Sequence, residues 1–193
     1  MKRSLDILLL AVAIAAAGCV DRRPGNVAAT PVCGGSVEAR GDVYYGVIFP
    51  PTCYVQVDDA RVVSHWMPSQ EQVAALEREL RAALEGLRGS PAGIADPSSS
   101  HSLDRFAYLS GELGGILERL DQYRRQYAGI TLRDGRRRIL VNCFPAATSP
   151  ETDQFADWKG RWVSVLDGGN SYWRIQYEVG SGRFFEFDVN GYA

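Results

Sequence analysis

Apolar residues just before the midpoint of the chain recur at intervals of three and four, the spacing of one helical face. The residues of this face are Val73, Leu76, Leu80, Leu84 and Leu87. Ser69 and Gln72 match a capping box ahead of the pattern, and Gly89 is a typical helix stop. We predict a helix between them, with Glu77 and Arg81 as an i,i+4 ion pair on its exposed side.

Two kinds of periodicity follow along the rest of the chain. A second helix is predicted over residues 112–123, with an earlier start near Leu103 left open. From Gln126 onward the apolar residues alternate, as in a strand with one buried face, and Asp134-Gly135 and Gly180-Ser181-Gly182 are typical hairpin turns. The strands predicted in this part cover residues 126–132, 139–143, 162–166, 173–179 and 185–189.

The region before the first helix has room for two more short strands. They fit between Asp42 and Val57, on either side of Pro50-Pro51. The whole pattern predicts an α+β fold, an antiparallel β-meander of about four to six strands with two helices packed on one face. The opposite face of the sheet is expected to be exposed to solvent.

The first twenty residues have the organisation of an export signal. Lys2 and Arg3 precede an apolar run over residues 7–17, which is too short to span a bilayer, since a span needs about twenty residues. The run ends in Ala16-Ala17-Gly18-Cys19, which resembles the lipobox of bacterial lipoproteins, with Ala16 in place of the more usual Leu. An ordinary secretory leader cleaved near Gly18 is the alternative.

The lipobox resemblance implies that Cys19 is acylated and becomes the new amino terminus, anchored to the membrane. It divides the chain into a signal peptide over residues 1–18, a flexible tether over 19–31 and a single periplasmic α+β domain over 32–193. Val20, and not Asp, follows Cys19. By resemblance to lipoproteins of enteric-type bacteria, this favours the outer membrane, with the domain facing the periplasm.

Charge and composition exclude some partners. Removing residues 1–18 from the 193-residue chain leaves 175 residues, and the loss of Lys2, Arg3 and Asp6 changes the formal net charge from −2 to −3. Nucleic acid is not expected as a partner, because it requires a strongly basic face. No second apolar run reaches the length of a membrane span, so acylated Cys19 is the only membrane contact that we expect.

Three cysteines remain besides Cys19. Cys33 and Cys53 lie in turn-rich stretches near Gly34-Gly35 and Pro50-Pro51, whereas Cys143 lies in an apolar strand. In an oxidising compartment we expect a Cys33–Cys53 disulfide and a buried Cys143 thiol, although spacing alone leaves other pairings open.

Few residues carry candidate chemistry. Cys143 could act as a nucleophile with His65 or His101 as base, but a cysteine within a strand is usually a small core residue. Residues 167–170, Asp-Gly-Gly-Asn, carry oxygen ligands, but the segment is too short for a calcium loop and typical of a turn. We therefore assign no catalytic residue, no metal site and no cofactor.

Two surfaces are candidates for binding a partner. Arg133, Arg136, Arg137 and Arg138 surround a hairpin tip and could bind lipid head groups or an acidic protein, although such tips are often simply solvated. Core packing accounts for most of the large aromatic residues. The aromatic candidates are Trp158, Trp162, Trp173 and Phe184, of which Phe184 alone is out of phase with its strand.

Four short stretches resemble a family of small exported bacterial proteins. They are residues 125–129 (Arg-Gln-Tyr-Ala-Gly), 139–142 (Ile-Leu-Val-Asn), 165–169 (Val-Leu-Asp-Gly-Gly) and 189–191 (Val-Asn-Gly), and the resemblance spans about residues 66–193. It supports the fold and implies no catalytic role. We expect a non-enzymatic envelope lipoprotein of binding or structural type. An immunity or inhibitor lipoprotein that neutralises a toxic hydrolase, and a cryptic hydrolase using Cys143, stay open as alternatives.

Overall fold

The computed structural model describes residues 33–57, 59–88 and 102–192, and only the backbone of residues 102–106. Cys19, the predicted signal peptide and tether, and His101 lie outside the described residues. The elements, in chain order, are β1 (Val37–Gly41), β2 (Tyr44–Ile48), β3 (Val62–Trp66), α1 (Gln70–Leu87), α2 (Ser102–Glu118), β4 (Tyr123–Leu132), β5 (Arg137–Pro145), β6 (Trp173–Glu178) and β7 (Arg183–Val189).

Local sequence signals account for the two helices. The Ser69 hydroxyl accepts a hydrogen bond from the Gln72 amide, and the Gln72 side chain accepts one from the Ser69 amide, so the predicted capping box begins α1. Helix α2 begins at Ser102, which corresponds to the earlier start near Leu103 that the sequence left open, and it ends at Glu118. Gly115 lies inside it close to Asn170, and a Cβ there would lie 2.8 Å from the Asn170 side-chain amide, so a larger residue would require that side chain to shift.

The seven strands form one mixed sheet in the order β1-β2-β4-β5-β6-β7, and β3 also pairs with β4. Strand β2 runs parallel to β4, beside residues 124–127, whereas β3 runs antiparallel beside residues 129–132. The α+β class is confirmed, and β4 to β7 form an antiparallel meander. The prediction that the whole sheet is an antiparallel meander is wrong, because β2 runs parallel to β4. The reason is that β3, α1 and α2 intervene between β2 and β4, so the chain returns to the sheet in the same direction.

Apolar residues are buried on both faces of the sheet. Helices α1 and α2 cover one face, where Tyr127, Val141 and Ile175 belong to the larger core cluster. On the other face a second cluster forms around Leu140 and Phe144, beneath irregular chain that includes Trp158 and Trp162. The expectation of one solvent-exposed face is therefore wrong, because the long connection between β5 and β6 folds over it.

A pair of buried amides positions this connection. The Gln126 side chain donates a hydrogen bond of 2.7 Å to the Trp158 carbonyl and accepts one of 2.9 Å from the Val163 amide. Asn142 donates to Gln126 at 3.0 Å and to the Val163 carbonyl at 2.9 Å. The predicted strand over residues 162–166 is wrong, because the Val163 backbone bonds these side chains instead of a neighbouring strand.

A bulge in β7 changes which of its side chains face the helices. The register with β6 shifts between Arg174 and Gln176, and Glu186 has a φ of 51°. Phe184 therefore packs on the helix side with Phe187, while Phe185 lies against Arg138 on the opposite face. Strict alternation, which predicts Phe184 out of phase with its strand, is therefore wrong at this position.

Candidate functional site

The four arginines predicted as a partner-binding cluster lie at one end of the sheet, around the β4–β5 hairpin. Arg136 pairs with Asp134 at 2.7 Å and with Glu178 at 3.2 Å. The Arg138 side chain is only 3 % exposed. It donates to Gln176 at 3.0 Å and lies 3.6 Å from Glu178. Two of the four cations are thus neutralised by carboxylates on the sheet or in the hairpin.

The ion pairs continue from β5 across to β7. Glu186 lies 4.0 Å from Arg138 and 2.9 Å from Arg61, which also pairs with Asp59 at 2.8 Å. The Arg61 guanidinium lowers the pKa of Asp59, and the Ser181 hydroxyl and the neighbouring arginines lower the pKa of Glu178. Alternating charges therefore link four parts of the molecule, which are the segment just before β3 and the strands β5, β6 and β7.

Arg133 and Arg137 are the exposed remainder of the predicted cluster. The Arg137 guanidinium lies 3.7 Å from the centroid of the Trp66 ring, a cation–π contact. Within the part of the chain that the structure describes, neither arginine forms a salt bridge. Among the described residues, the cluster thus has two exposed arginines without a salt bridge, of which Arg137 stacks on the half-buried Trp66, in place of four equivalent arginines.

A second charged group lies inside the helix-side core. The Arg125 side chain is 1 % exposed and the Glu77 side chain 3 % exposed, with 3.1 Å between Arg125 Nε and Glu77 Oε1. The Tyr127 hydroxyl donates to the same carboxylate at 2.7 Å. Burial raises the pKa of Glu77, and Arg125 opposes that rise. The predicted exposed pair of Glu77 with Arg81 is wrong, because Glu77 faces β4 and Arg81 lies 4.0 Å from Glu85.

Cys143 is enclosed in the same core. It is fully buried opposite Arg125 on β4, and burial raises the pKa of its thiol far above the ordinary value. His65 pairs with Ile130, five residues further along β4, which corresponds to about 17 Å at the rise of a strand. The described residues therefore bring no histidine to Cys143.

The remaining predicted residues have structural surroundings. Cys33 and Cys53 form a disulfide with 5.4 Å between their Cα atoms, as predicted, and Cys143 is a free buried thiol. Residues 167–170 form a turn in which Gly168 has a φ of 92°, and the Asn170 side chain accepts a hydrogen bond from Arg119. Among the described residues there is no group of three His, Cys, Asp or Glu side chains placed to hold a metal ion.

The four aromatic candidates pack in or against the two core clusters. Trp158 and Trp162 belong to the second core cluster, and Trp173 to the helix-side cluster. Trp158 packs edge-on against Tyr45 with ring centroids 5.2 Å apart, and Phe184 packs against Tyr177 at 5.0 Å. These contacts are those of core packing.

The domain thus belongs to the class of α+β folds with a mixed sheet covered on both faces. Comparisons with family models, with curated proteins and with solved structures each find no match to this chain. None of the helices within the described residues is both long enough and apolar enough to span a membrane.

Sequence reasoning missed the polar residues that the fold buries. Gln126 and Asn142 alternate with apolar neighbours and so look like solvent-facing strand positions. Glu77 is adjacent to Leu76 within the apolar face of α1, and that position was the available signal for its burial. The partners that make such burial tolerable are distant in sequence, and no local pattern indicates them.

Proposed function

We propose that this chain is a lipid-anchored protein of the bacterial envelope whose domain binds a partner and catalyses no reaction. In this proposal acylated Cys19 holds the chain at the outer membrane. Residues 19–31 act as a tether, and the α+β domain lies in the periplasm. The partner is an envelope protein, and nucleic acid is not a partner.

The disulfide between Cys33 and Cys53 is the observation that carries the proposal. Disulfides persist in oxidising compartments such as the periplasm and are rare in the cytosol. This one joins Cys33, the first described residue, to the loop after β2, and Cys33 also donates its amide to the Gly160 carbonyl. A cross-link at the start of the domain suits a chain that is tethered at that end.

The chemistry of the core argues against the thiol hydrolase alternative. A nucleophilic cysteine needs an accessible thiolate and a base or positive field, and Cys143 is fully buried with its pKa raised by burial. The charged group beside it, Arg125, is occupied by Glu77 and by the carbonyls of Leu120 and Tyr123. These contacts support a structural role for the whole group.

The anchor is tested by Cys19→Ser. We expect this variant to lose labelling by a fatty-acid analogue and to move from the membrane fraction to the soluble periplasmic fraction. Cys143→Ser is the matched control and should remain labelled and membrane-bound if it folds. A Cys19→Ser protein that is still labelled and sediments with membranes would refute the lipoprotein assignment.

Partner binding is tested by cross-linking in intact cells followed by purification of the chain. The double variant Arg133→Ala, Arg137→Ala removes the two exposed cations and should weaken capture of an acidic envelope partner. The control is Arg78→Ala, Arg88→Ala, which removes two exposed cations from α1 and its end. Equal capture by both variants would exclude the hairpin as the binding surface. Near-stoichiometric capture of one hydrolase, with loss of its activity, would instead establish the inhibitor alternative.

A further inference from the structure

Three strands have an unpaired edge within the part of the chain that the structure describes: β1, β3 and β7. Natural sheets often protect such edges with bulges, which prevent pairing with another chain. Strand β3 has a register shift between Val62 and Ser64, and β7 has the bulge at Glu186. Strand β1 instead pairs with β2 through five consecutive positions without a shift, so it is the edge that has no bulge.

The outward-facing backbone groups of β1 can be identified from one contact. The Glu38 carbonyl accepts a hydrogen bond of 3.1 Å from the Gln70 side chain, so it points away from β2. Because alternate residues of an antiparallel strand face the same way, Arg40 also directs its amide and carbonyl outward. Among the described residues, the Gln70 amide is the only partner of these groups. Gln70 is exposed and can rotate away.

The sequence of β1 is complementary to itself in the antiparallel direction. It reads Val37-Glu38-Ala39-Arg40-Gly41, with opposite charges placed symmetrically about Ala39. When two copies pair with Ala39 opposite Ala39, Glu38 of each chain lies directly opposite Arg40 of the other. The same register makes both Glu38–Arg40 pairs the hydrogen-bonded positions of the ladder, which is where the outward groups are.

We propose that two copies of this chain associate through their β1 edges, in an antiparallel register centred on Ala39. The joined sheet gains backbone hydrogen bonds between Glu38 and Arg40 of different chains and two cross-strand ion pairs. In the single chain Arg40 lies 3.2 Å from its own Glu38. Glu38 also pairs with Lys159. The exposed contact with Arg40 is exchanged for equivalent contacts between chains. The Glu38 carbonyl exchanges the Gln70 side chain for a backbone partner, and the other outward backbone groups gain partners.

The symmetry of this pairing places the beginning of the described chain on the same side in both copies. The two-fold axis is perpendicular to the sheet, so corresponding faces of the two copies lie on the same side. Cys33 packs on the face opposite the helices, so Cys33 of both copies lies on one side of the dimer. Association does not depend on the lipid anchor, so failure of one proposal leaves the other testable.

Charge reversal tests the register. We expect the purified full-length chain in mild detergent to show a monomer–dimer equilibrium by sedimentation. Glu38→Arg alone and Arg40→Glu alone should each weaken dimerisation about tenfold, because each places like charges opposite each other twice. The combined variant Glu38→Arg, Arg40→Glu should restore it. Glu79→Arg, on the exposed side of α1, is the control and should leave dimerisation unchanged.

A cross-link gives a second, independent measurement. Opposed Cα atoms at a non-hydrogen-bonded position lie about 4.5 Å apart, within disulfide range, so Ala39→Cys should form a covalent dimer under mild oxidation. Val37→Cys is the control, because Val37 lies opposite Gly41 of the second copy. It should not cross-link although Val37 is 39 % exposed and Ala39 only 4 %. A wild-type chain that stays monomeric at its solubility limit, or charge variants that do not follow the rescue pattern, would overturn the proposal.

Discussion

Breaking the buried pair of Arg125 and Glu77 should destabilise the domain by an amount that depends on pH. In Arg125→Met the Glu77 carboxylate keeps only the Tyr127 hydroxyl, inside a core where its own side chain is 3 % exposed. Removing one partner of a buried ion pair typically costs about 3–5 kcal/mol. We expect a loss in this range in the free energy of unfolding at pH 7.

The part of this loss that comes from the uncompensated charge has an upper bound, which follows from protonation. A carboxyl of ordinary pKa, about 4.3, can be protonated at pH 7 for about 3.7 kcal/mol, so the uncompensated charge of Glu77 cannot cost more than that. In the variant the folded-state pKa is raised above the unfolded value. The variant is therefore most stable at low pH and loses stability as pH rises above the unfolded pKa. The loss is at most about 1.4 kcal/mol per pH unit, where the carboxyl is protonated in the folded state and ionised in the unfolded state.

Urea unfolding followed by tryptophan fluorescence measures these changes. Glu77→Leu alone leaves the Arg125 cation with the carbonyls of Leu120 and Tyr123, and should cost a similar amount. The double variant Glu77→Leu, Arg125→Met buries no charge and should cost at least about 3 kcal/mol less than the sum of the single variants. Single-variant costs that add within about 0.5 kcal/mol, or an Arg125→Met cost that is independent of pH, would refute this reasoning.

The other predictions concern the thiol, the amide pair and the surface ion pairs. Cys143→Ala should retain the cellular role and lose about 1 kcal/mol of stability by urea unfolding. Loss of all function in a folded protein would instead favour the thiol enzyme. Asn142→Leu should cost about 2–3 kcal/mol, because it leaves buried polar groups unpaired, and limited proteolysis should then cut within residues 158–163. Asp59 and Glu178 have pKa values that are lowered in the folded state, so their ionised forms stabilise the fold. This stabilisation is complete above their unfolded pKa, about 4, and it is lost as pH falls through the folded-state pKa values. A thermal-melting series below pH 5 should show this loss, and substituting Asp59→Asn should reduce it.

Features encoded within a few residues were predictable from the sequence. The capping box at Ser69 and the turn at Asp134-Gly135 each depend on contacts between near neighbours, and Gly135 adopts the expected left-handed φ of 84°. The apolar face of α1 and the alternation of β4 and β5 follow from their periods. Such signals act through the backbone of their own segment, so the rest of the fold does not have to be known.

Features that depend on distant pairing were not predictable in the same way. The parallel pairing of Tyr45 with Arg124 joins segments separated by β3 and both helices, and no local pattern selects it. The bulge at Glu186 reverses the facing of Phe184 and Phe185, because one extra residue shifts the period of two. The amide pair of Gln126 and Asn142 likewise acquires its role only when the connection between β5 and β6 folds over it.

The arginine hairpin shows why a run of charge is a weak indicator of a binding surface. Its four arginines lie within six residues, yet the carboxylates that neutralise Arg136 and Arg138 include Glu178, which is forty residues further along the chain. Only folding brings the opposite charges together, and it also buries Arg138 while leaving Arg133 and Arg137 accessible. Removing Arg138 would therefore disturb the sheet before it affected any partner. A binding defect is attributable to the surface only when it comes from Arg133 or Arg137, which carry charge without an ion pair among the described residues.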